Sequence, residues 1–178
     1  LYAGAHGLSN DLDVLLDAAV RLRSQPHIHF LFVGDGKEKP ALQQRVAAEA
    51  LTNVTFMASV PKTEMAGVLA MADVCVAILK PIEMYKTTYP NKVFDYMAAG
   101  KPVLLAIDGV IREVVESTQA GIAVPPGNPQ ALADGIMVLA SHPDEAKAMG
   151  QAGRNAIIHS FNRAHFSQEF ELLLKDLR

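Results

Sequence analysis

Four runs of strand length, Ile28–Val33 (IHFLFV), Val54–Ala58 (VTFMA), Val74–Leu79 (VCVAIL) and Val103–Ile107 (VLLAI), are apolar at nearly every position rather than at alternate ones. A strand with one face in water alternates, whereas a strand apolar on both faces has to be covered on both. The segments between these runs carry the other period. In Asp11–Arg23, Leu12, Leu15, Leu16, Ala19 and Leu22 fall on one helical face. Repetition of strand, turn and amphipathic helix specifies parallel strands joined by right-handed crossovers. The fold class expected is therefore α/β, a Rossmann-like doubly wound parallel sheet of about six strands.

Leu1–Gly4 and Ile122–Val124 supply the first and last strands of that sheet, and both are short. Further helices are predicted over Pro40–Ala50, Thr63–Met71, the stretch after Asn91, and Ile111–Glu116. From 129 to 178 the pattern is helical, with helices predicted at Gln130–Ala140, Pro143–His159 and Arg163–Leu177. In a doubly wound sheet the ligand crevice lies beyond the carboxyl ends of the strands. Here those ends are Gly4–Gly7, Gly34–Gly36, Ser59–Lys62, Lys80–Pro90 and Asp108–Gly109, mostly glycine-rich or polar loops.

Composition narrows the partners. The 178 residues are 50% hydrophobic and carry a formal net charge of −3, enough for one core and a poor match to nucleic acid. No run reaches the roughly eighteen apolar residues of a membrane span. The single cysteine, Cys75, lies inside an apolar run and reads as a small buried hydrophobe in a reducing compartment. The six histidines show neither H-x3-H nor H-E-x-x-H spacing, so no metal site is read. The chain opens on LYAG without an initiator Met and shows no signal peptide. The expectation is a single domain, 1–178, cut from a longer two-domain protein.

Three loops carry the chemistry. In GAHGLSND, Gly4 to Asp11, a glycine turn joins a first strand to a first helix, a way of bringing backbone N–H groups to a phosphate. The spacing is not G-x-G-x-x-G, so no dinucleotide fingerprint is present. Ser9 or Asn10 is the expected N-cap, and His6 either faces solvent or donates to an anionic ligand. VGDG, Val33 to Gly36, is an ordinary turn or a close backbone approach, and Lys37-Glu38-Lys39 reads as a solvated face.

The richest stretch is YPNKVFDYMAAG, Tyr89 to Gly100. With Asn91 as N-cap, the free N–H groups after it face the crevice and, with the helix dipole, favour an anion by about 0.3–1 kcal/mol. Lys92 adds a positive charge. Asp95, one turn further in, is an acceptor suited to a pair of sugar hydroxyls. The plain alternative is a first-turn carboxylate on the dipole beside a solvated lysine. The loop from Lys80 to Pro90 is long for a strand-to-helix connection and holds Glu83, Lys86, Thr87, Thr88 and Tyr89, either a functional loop or a flexible surface one.

NKVFDYMAAGKPVLL resembles the segment of GT-B glycosyltransferases of family 4 that reads E-x7-E followed by A-M-A-x-G-x-P-V. YAGAHGLSNDLDVLLDAA, FLFVGDG, NVTFMASVPKTEMAGVLAMADVCVAIL and AGIAVPPGNPQALADGI resemble the other segments of that family, in the same order. The subgroup most similar builds bacterial surface polysaccharides. The resemblance implies one half of a GT-B fold, the C-terminal half that binds the donor. That half serves a retaining, metal-independent transferase moving a sugar from a nucleotide diphosphate sugar, UDP-linked, to a lipid-linked or saccharide acceptor.

It also implies roles. Asp95 holds the donor ribose, the Asn91 N–H meets the diphosphate, Gly4 and Gly7 lie near that diphosphate, and Val60, in the loop Ser59–Lys62, contacts the base. No cofactor is expected, and the acceptor and any helping side chain belong to an N-terminal half. The full enzyme is expected in the cytoplasm, peripheral at the inner face of the membrane where the acceptor is lipid-linked.

Departures from the pattern matter as much. The first glutamate falls at Thr87, and the arginine and lysine of the first turn fall at Ala5 and Asn10. Lys86 and Lys92 are the residues left to supply the missing positive charge from the other side of the cleft. A sugar-nucleotide 2-epimerase, with Glu83 as the one loop carboxylate to recommend it, and a scaffold with a decayed site are the rival readings.

Overall fold

The computed structural model describes residues 1–161 and 163–176. Its strands are β1 Tyr2–Ala3, β2 Phe30–Val33, β3 Val54–Met57, β4 Cys75–Ile78, β5 Val103–Ala106 and β6 Gly121–Ala123. Its helices are α1 Leu12–Arg21, α2 Lys39–Ala48, α3 Met65–Ala70, α4 Asn91–Ala98, α5 Val110–Ser117, α6 Pro129–Ser141, α7 Pro143–His159 and α8 Arg163–Asp176. Every predicted element is present with ends moved by a few residues. The predicted end of the last helix, Leu177, lies outside the described residues.

All pairings are parallel, and they form two ladders, β1-β2-β3 and β4-β5-β6. The ladders meet where the Val76 N–H of β4 donates to the Leu1 carbonyl at 2.8 Å. The spatial order is thus β3-β2-β1-β4-β5-β6, with the topological switch between β1 and β4. At that seam a side chain replaces the next rung. The Tyr96 hydroxyl of α4 accepts from the Ala3 N–H at 3.1 Å and donates to the Ala3 carbonyl at 3.0 Å.

The apolar runs divide as strand geometry requires, successive side chains to opposite faces. Phe30, Phe32, Val76, Ile78, Leu104 and Ala106 join one core with α1, α2 and α6. Val33, Cys75, Ala77, Val103 and Leu105 join the other with α3, α4 and α5. Cys75 is buried and free. Both faces are covered, which is why the strands are apolar throughout.

Candidate functional site

The carboxyl ends of the strands are laced into one rim. The Gly4 N–H donates to the Val33 carbonyl at 2.9 Å, the His6 N–H to the Asp35 carbonyl at 2.8 Å, and the Glu38 N–H back to the His6 carbonyl at 3.0 Å. This contact requires Gly34. Its φ is +143°, and a β-carbon there would lie 1.9 Å from the Gly4 carbonyl oxygen. Lys39, expected on a solvated face, instead donates from Nζ to the carbonyls of Gly34 (2.7 Å) and Met57 (2.9 Å), tying the ends of β2 and β3. Across the switch point, the Lys80 N–H donates to the Ser9 carbonyl at 3.0 Å. The Tyr85 hydroxyl donates to Ser9 Oγ at 2.8 Å.

His6 does not face solvent, and it presents no exposed nitrogen to a ligand. The two hydrogen bonds that tie its backbone to the second turn direct the ring inward, where it is fully buried among Tyr2, Phe32 and Phe56. Among the described residues neither ring nitrogen has a hydrogen-bond partner. Burial first, then the charge of Lys39 and, further down, Lys92, push its pKa below the usual 6.5, against a smaller opposing pull from Asp35.

Neither Ser9 nor Asn10 caps α1. A 3₁₀ turn over Leu8–Asn10 delays the helix, so the cap position passes to Asp11, in the left-handed region at φ 48° with no side-chain capping bond. Both polar side chains are thereby released to the crevice. The cap position of α4 is likewise Pro90 rather than Asn91, because ψ 120° at the proline holds it extended and helical geometry begins one residue later. Asn91 is the exposed first helical residue, and no side chain caps this end. The capping side chain expected of Asn91 is therefore missing from the start, and its first N–H groups have no intrahelical acceptor.

Lys92 does not extend into solvent. Its ammonium donates to Tyr2 Oη at 2.9 Å and Asn10 Oδ1 at 3.0 Å, and lies 4.4 Å from the centre of the Tyr2 ring. Gly4 makes room for it, since a β-carbon at that position would stand 3.0 Å from Nζ. Among the described residues no carboxylate pairs with it. Desolvation by burial lowers its pKa from 10.5 to about 8, which leaves it charged at neutral pH.

Lys86 is different. Its ammonium is taken by Glu83 at 2.7 Å, because Glu83–Thr87 is a 3₁₀ turn and residues three apart eclipse one another. The hydrogen bond and charge of Glu83 raise the Lys86 pKa. In this structure the Lys86 ammonium and the Glu83 carboxylate face each other, and both side chains are exposed. Thr87 Oγ1 donates to the Met84 carbonyl at 3.1 Å.

Asp95 is exposed one turn along α4. Val60 is half-buried against the α3–α5 core, which fixes the backbone of its loop. Gly7 precedes the 3₁₀ turn. Gly4, Gly7, Asn10, Asn91 and Lys92 thus gather at the switch point, with Asp95 one turn further along α4. His6 lies beneath them, and Val60 belongs to the adjoining β3 loop. Tyr2, which holds the ammonium together with Asn10, is absent from the residues singled out in the sequence, and Asn10 stands there only as an N-cap candidate and as a position lacking a lysine.

Cavities of about 490 and 740 Å³ lie elsewhere. The larger is at the opposite end of the sheet, lined by Leu1, Phe30, Val74 and Pro102. The switch-point crevice is an open rim. Among the described residues no group of three or more His, Cys, Asp or Glu is arranged to hold a metal ion.

The sequence profile of the family described as Glycosyl transferases group 1 matches residues 1–142. The chain belongs to that family. It is 25% identical over 152 residues to the D-rhamnosyltransferase WbpZ of Pseudomonas aeruginosa, covering 85% of this chain and 38% of that one. It is 29% identical over 140 residues to the putative colanic acid biosynthesis glycosyl transferase WcaI of Escherichia coli, covering 76% of this chain and 34% of that one. The chain therefore spans little more than a third of either relative. Anabaena HepE, solved in complex with UDP, superposes with a TM-score of 0.84 at 20% identity, over 98% of this chain and 48% of that one. The shared fold extends over about half of that molecule and is the Rossmann-like α/β class expected from the sequence.

Proposed function

We propose that this chain is the donor-binding half of a retaining glycosyltransferase. The enzyme takes a sugar from a nucleotide diphosphate sugar, UDP-linked, and passes it to a saccharide or lipid-linked acceptor held by a second half. The observation that carries the reading is the Lys92 ammonium, largely desolvated and without a counter-carboxylate among the described residues, on the first turn of the uncapped α4. Burying an unpaired cation is unfavourable, and such groups mark sites that await an anion.

In this reading the diphosphate lies between the Gly4–Gly7 turn and the first N–H groups of α4, with Lys92 as its cation. Asp95 accepts from the ribose hydroxyls, and the backbone beside Val60 meets the base. The two relatives named for sugar transfer and the neighbour solved with UDP support the same reading. Chemically, the arrangement stabilises the charge that gathers on the leaving diphosphate, which preorganised donors do without reorganising. The site calls for no cofactor, since its own ammonium and helix dipole oppose that charge. The full-length enzyme would work in the cytoplasm, at the membrane's inner face where the acceptor is lipid-linked. No described helix is long and apolar enough to cross a membrane.

Calorimetric titration with UDP, GDP and NAD tests the reading. UDP binding that is weakened in both Lys92→Ala and Asp95→Ala is expected, with no sugar transfer by the 178-residue chain alone. Absence of nucleoside diphosphate binding, or binding indifferent to both substitutions, would sink it.

A further inference from the structure

Lys92 is held by two neutral oxygens, and the choice is informative. An ammonium that only needed a structural partner would be served better by a carboxylate, as Lys86 is by Glu83 at 2.7 Å. Tyr2 and Asn10 fix its position and leave its charge unspent. The phenol is itself pinned, because Tyr2 Oη donates to the Ala5 carbonyl at 2.7 Å and so turns a lone pair toward Nζ. Tyr2 is buried to 1% exposure, and burial raises its pKa well above the ordinary tyrosine value, so it does not become a phenolate that would quench the cation.

The titratable groups facing Lys92 are few. Tyr2 faces it from β1 and His6 from beneath the first turn, the latter kept neutral at pH 7 by its own burial. Asp95 of α4 makes no ion pair with it, and Glu83 of the 3₁₀ turn pairs with Lys86 instead.

We infer that Tyr2 and Asn10 are positioning residues for donor binding, neutral acceptors that carry the Lys92 ammonium from α4 across the switch point to the Gly4 turn. The inference rests on the donor reading above and adds what sets the position and the charge of its cation. Asn10 lies on the wall opposite α4. The positive charge of the site is therefore fixed to a place in the crevice, and the residue supplying it reaches that place from the far side.

Two substitutions separate this role from simple packing. Asn10→Asp keeps the shape and adds a counter-charge. It is expected to hold or raise the thermal stability of the free chain while weakening UDP binding at least about tenfold, the scale of one charge-assisted hydrogen bond. Tyr2→Phe keeps the ring and removes the acceptor, and solvent can take over the Ala5 carbonyl, since Ala5 is exposed. It is expected to weaken UDP binding several-fold.

The second readout is the titration of Lys92 followed by NMR of labelled lysine side chains. The wild-type midpoint of about 8 should rise in Asn10→Asp and fall in Tyr2→Phe. A purely structural role predicts that stability changes in the variants while UDP binding does not. A wild type that binds UDP while both variants bind it equally well, or a Lys92 midpoint that neither variant moves, overturns the inference alone. A wild type that binds neither UDP, GDP nor pyrophosphate overturns the donor reading, and the inference falls with it.

Discussion

At His6 a ring with two polar nitrogens is packed among Tyr2, Phe32 and Phe56, and among the described residues neither nitrogen meets a hydrogen-bond partner. The cost of protonating it there is visible in the direction of its pKa, which burial lowers from 6.5. The unfolded chain binds a proton at the ordinary value and the folded chain only below it. Stability is therefore complete above pH 6.5 and declines as the pH falls toward the depressed value. His6→Phe should flatten that decline and raise stability at neutral pH by about 1 kcal/mol, since it removes unsatisfied nitrogens without opening a cavity. Urea midpoints at pH 7.5 and 5.5 would show it, and an unchanged decline in the variant would place the acid sensitivity elsewhere. Nothing local in GAHG reveals this burial. It arises from bonds between His6 and the turn at Asp35 and Glu38, a contact distant in sequence that no periodicity encodes.

Among the elements, α4 does the most with the fewest residues. Its eight positions leave Asn91 and Asp95 exposed, send Lys92 across to Tyr2 and Asn10, and bury Val93, Tyr96 and Met97. That division was legible, because the apolar spacing, the proline before it and the glycine after it are all in the sequence. The residue occupying the cap position was not, since the choice between Pro90 and Asn91 depends on one ψ angle. Nor was the task of Tyr96, which looks like any buried aromatic until its hydroxyl is found on both backbone groups of Ala3. Tyr96→Phe leaves that N–H and carbonyl unsatisfied in a dry place, at about 1–3 kcal/mol for each group. The expected loss is thus larger than the removal of one surface hydroxyl would suggest. Urea unfolding reads its size, and faster hydrogen exchange at the Ala3 amide reads its location; a variant within a few tenths of a kcal/mol of the parent would show that solvent reaches the seam.

For the whole molecule, the fold followed from hydrophobic pattern alone, because strands apolar on both faces leave a sheet little choice but to be wrapped. The site followed only as far as its backbone features, the glycine turn and the bare helix start. Its electrostatics depend on which side chains cross the switch point, and a lysine's reach is not written in its neighbours. Lys86 and Lys92 look equivalent in sequence, yet one pairs on the surface with Glu83 three residues away and the other is carried to the opposite wall. Ligand linkage gives a molecular-scale check. UDP at a hundredfold excess over its Kd should stabilise the chain by about 2.7 kcal/mol, raising the melting temperature by roughly 5–10 °C for a domain of this size. The same UDP concentration should shift Lys92→Met by no more than about half as much in a scanning melt, since a tenfold weaker site leaves about 1.4 kcal/mol. An equal shift in the variant would remove Lys92 from the site.

The seam between β1 and β4 is where the two three-stranded ladders of this domain are joined. The first ladder brings the glycine turn to it, and the second brings α4. The straps recorded across it include the bond from Val76 to Leu1, the Tyr96 hydroxyl on Ala3 and the Lys92 ammonium on Tyr2 and Asn10. A diphosphate gripped from both sides would be one more strap, so occupancy would stiffen two half-sheets against each other as well as fill a crevice.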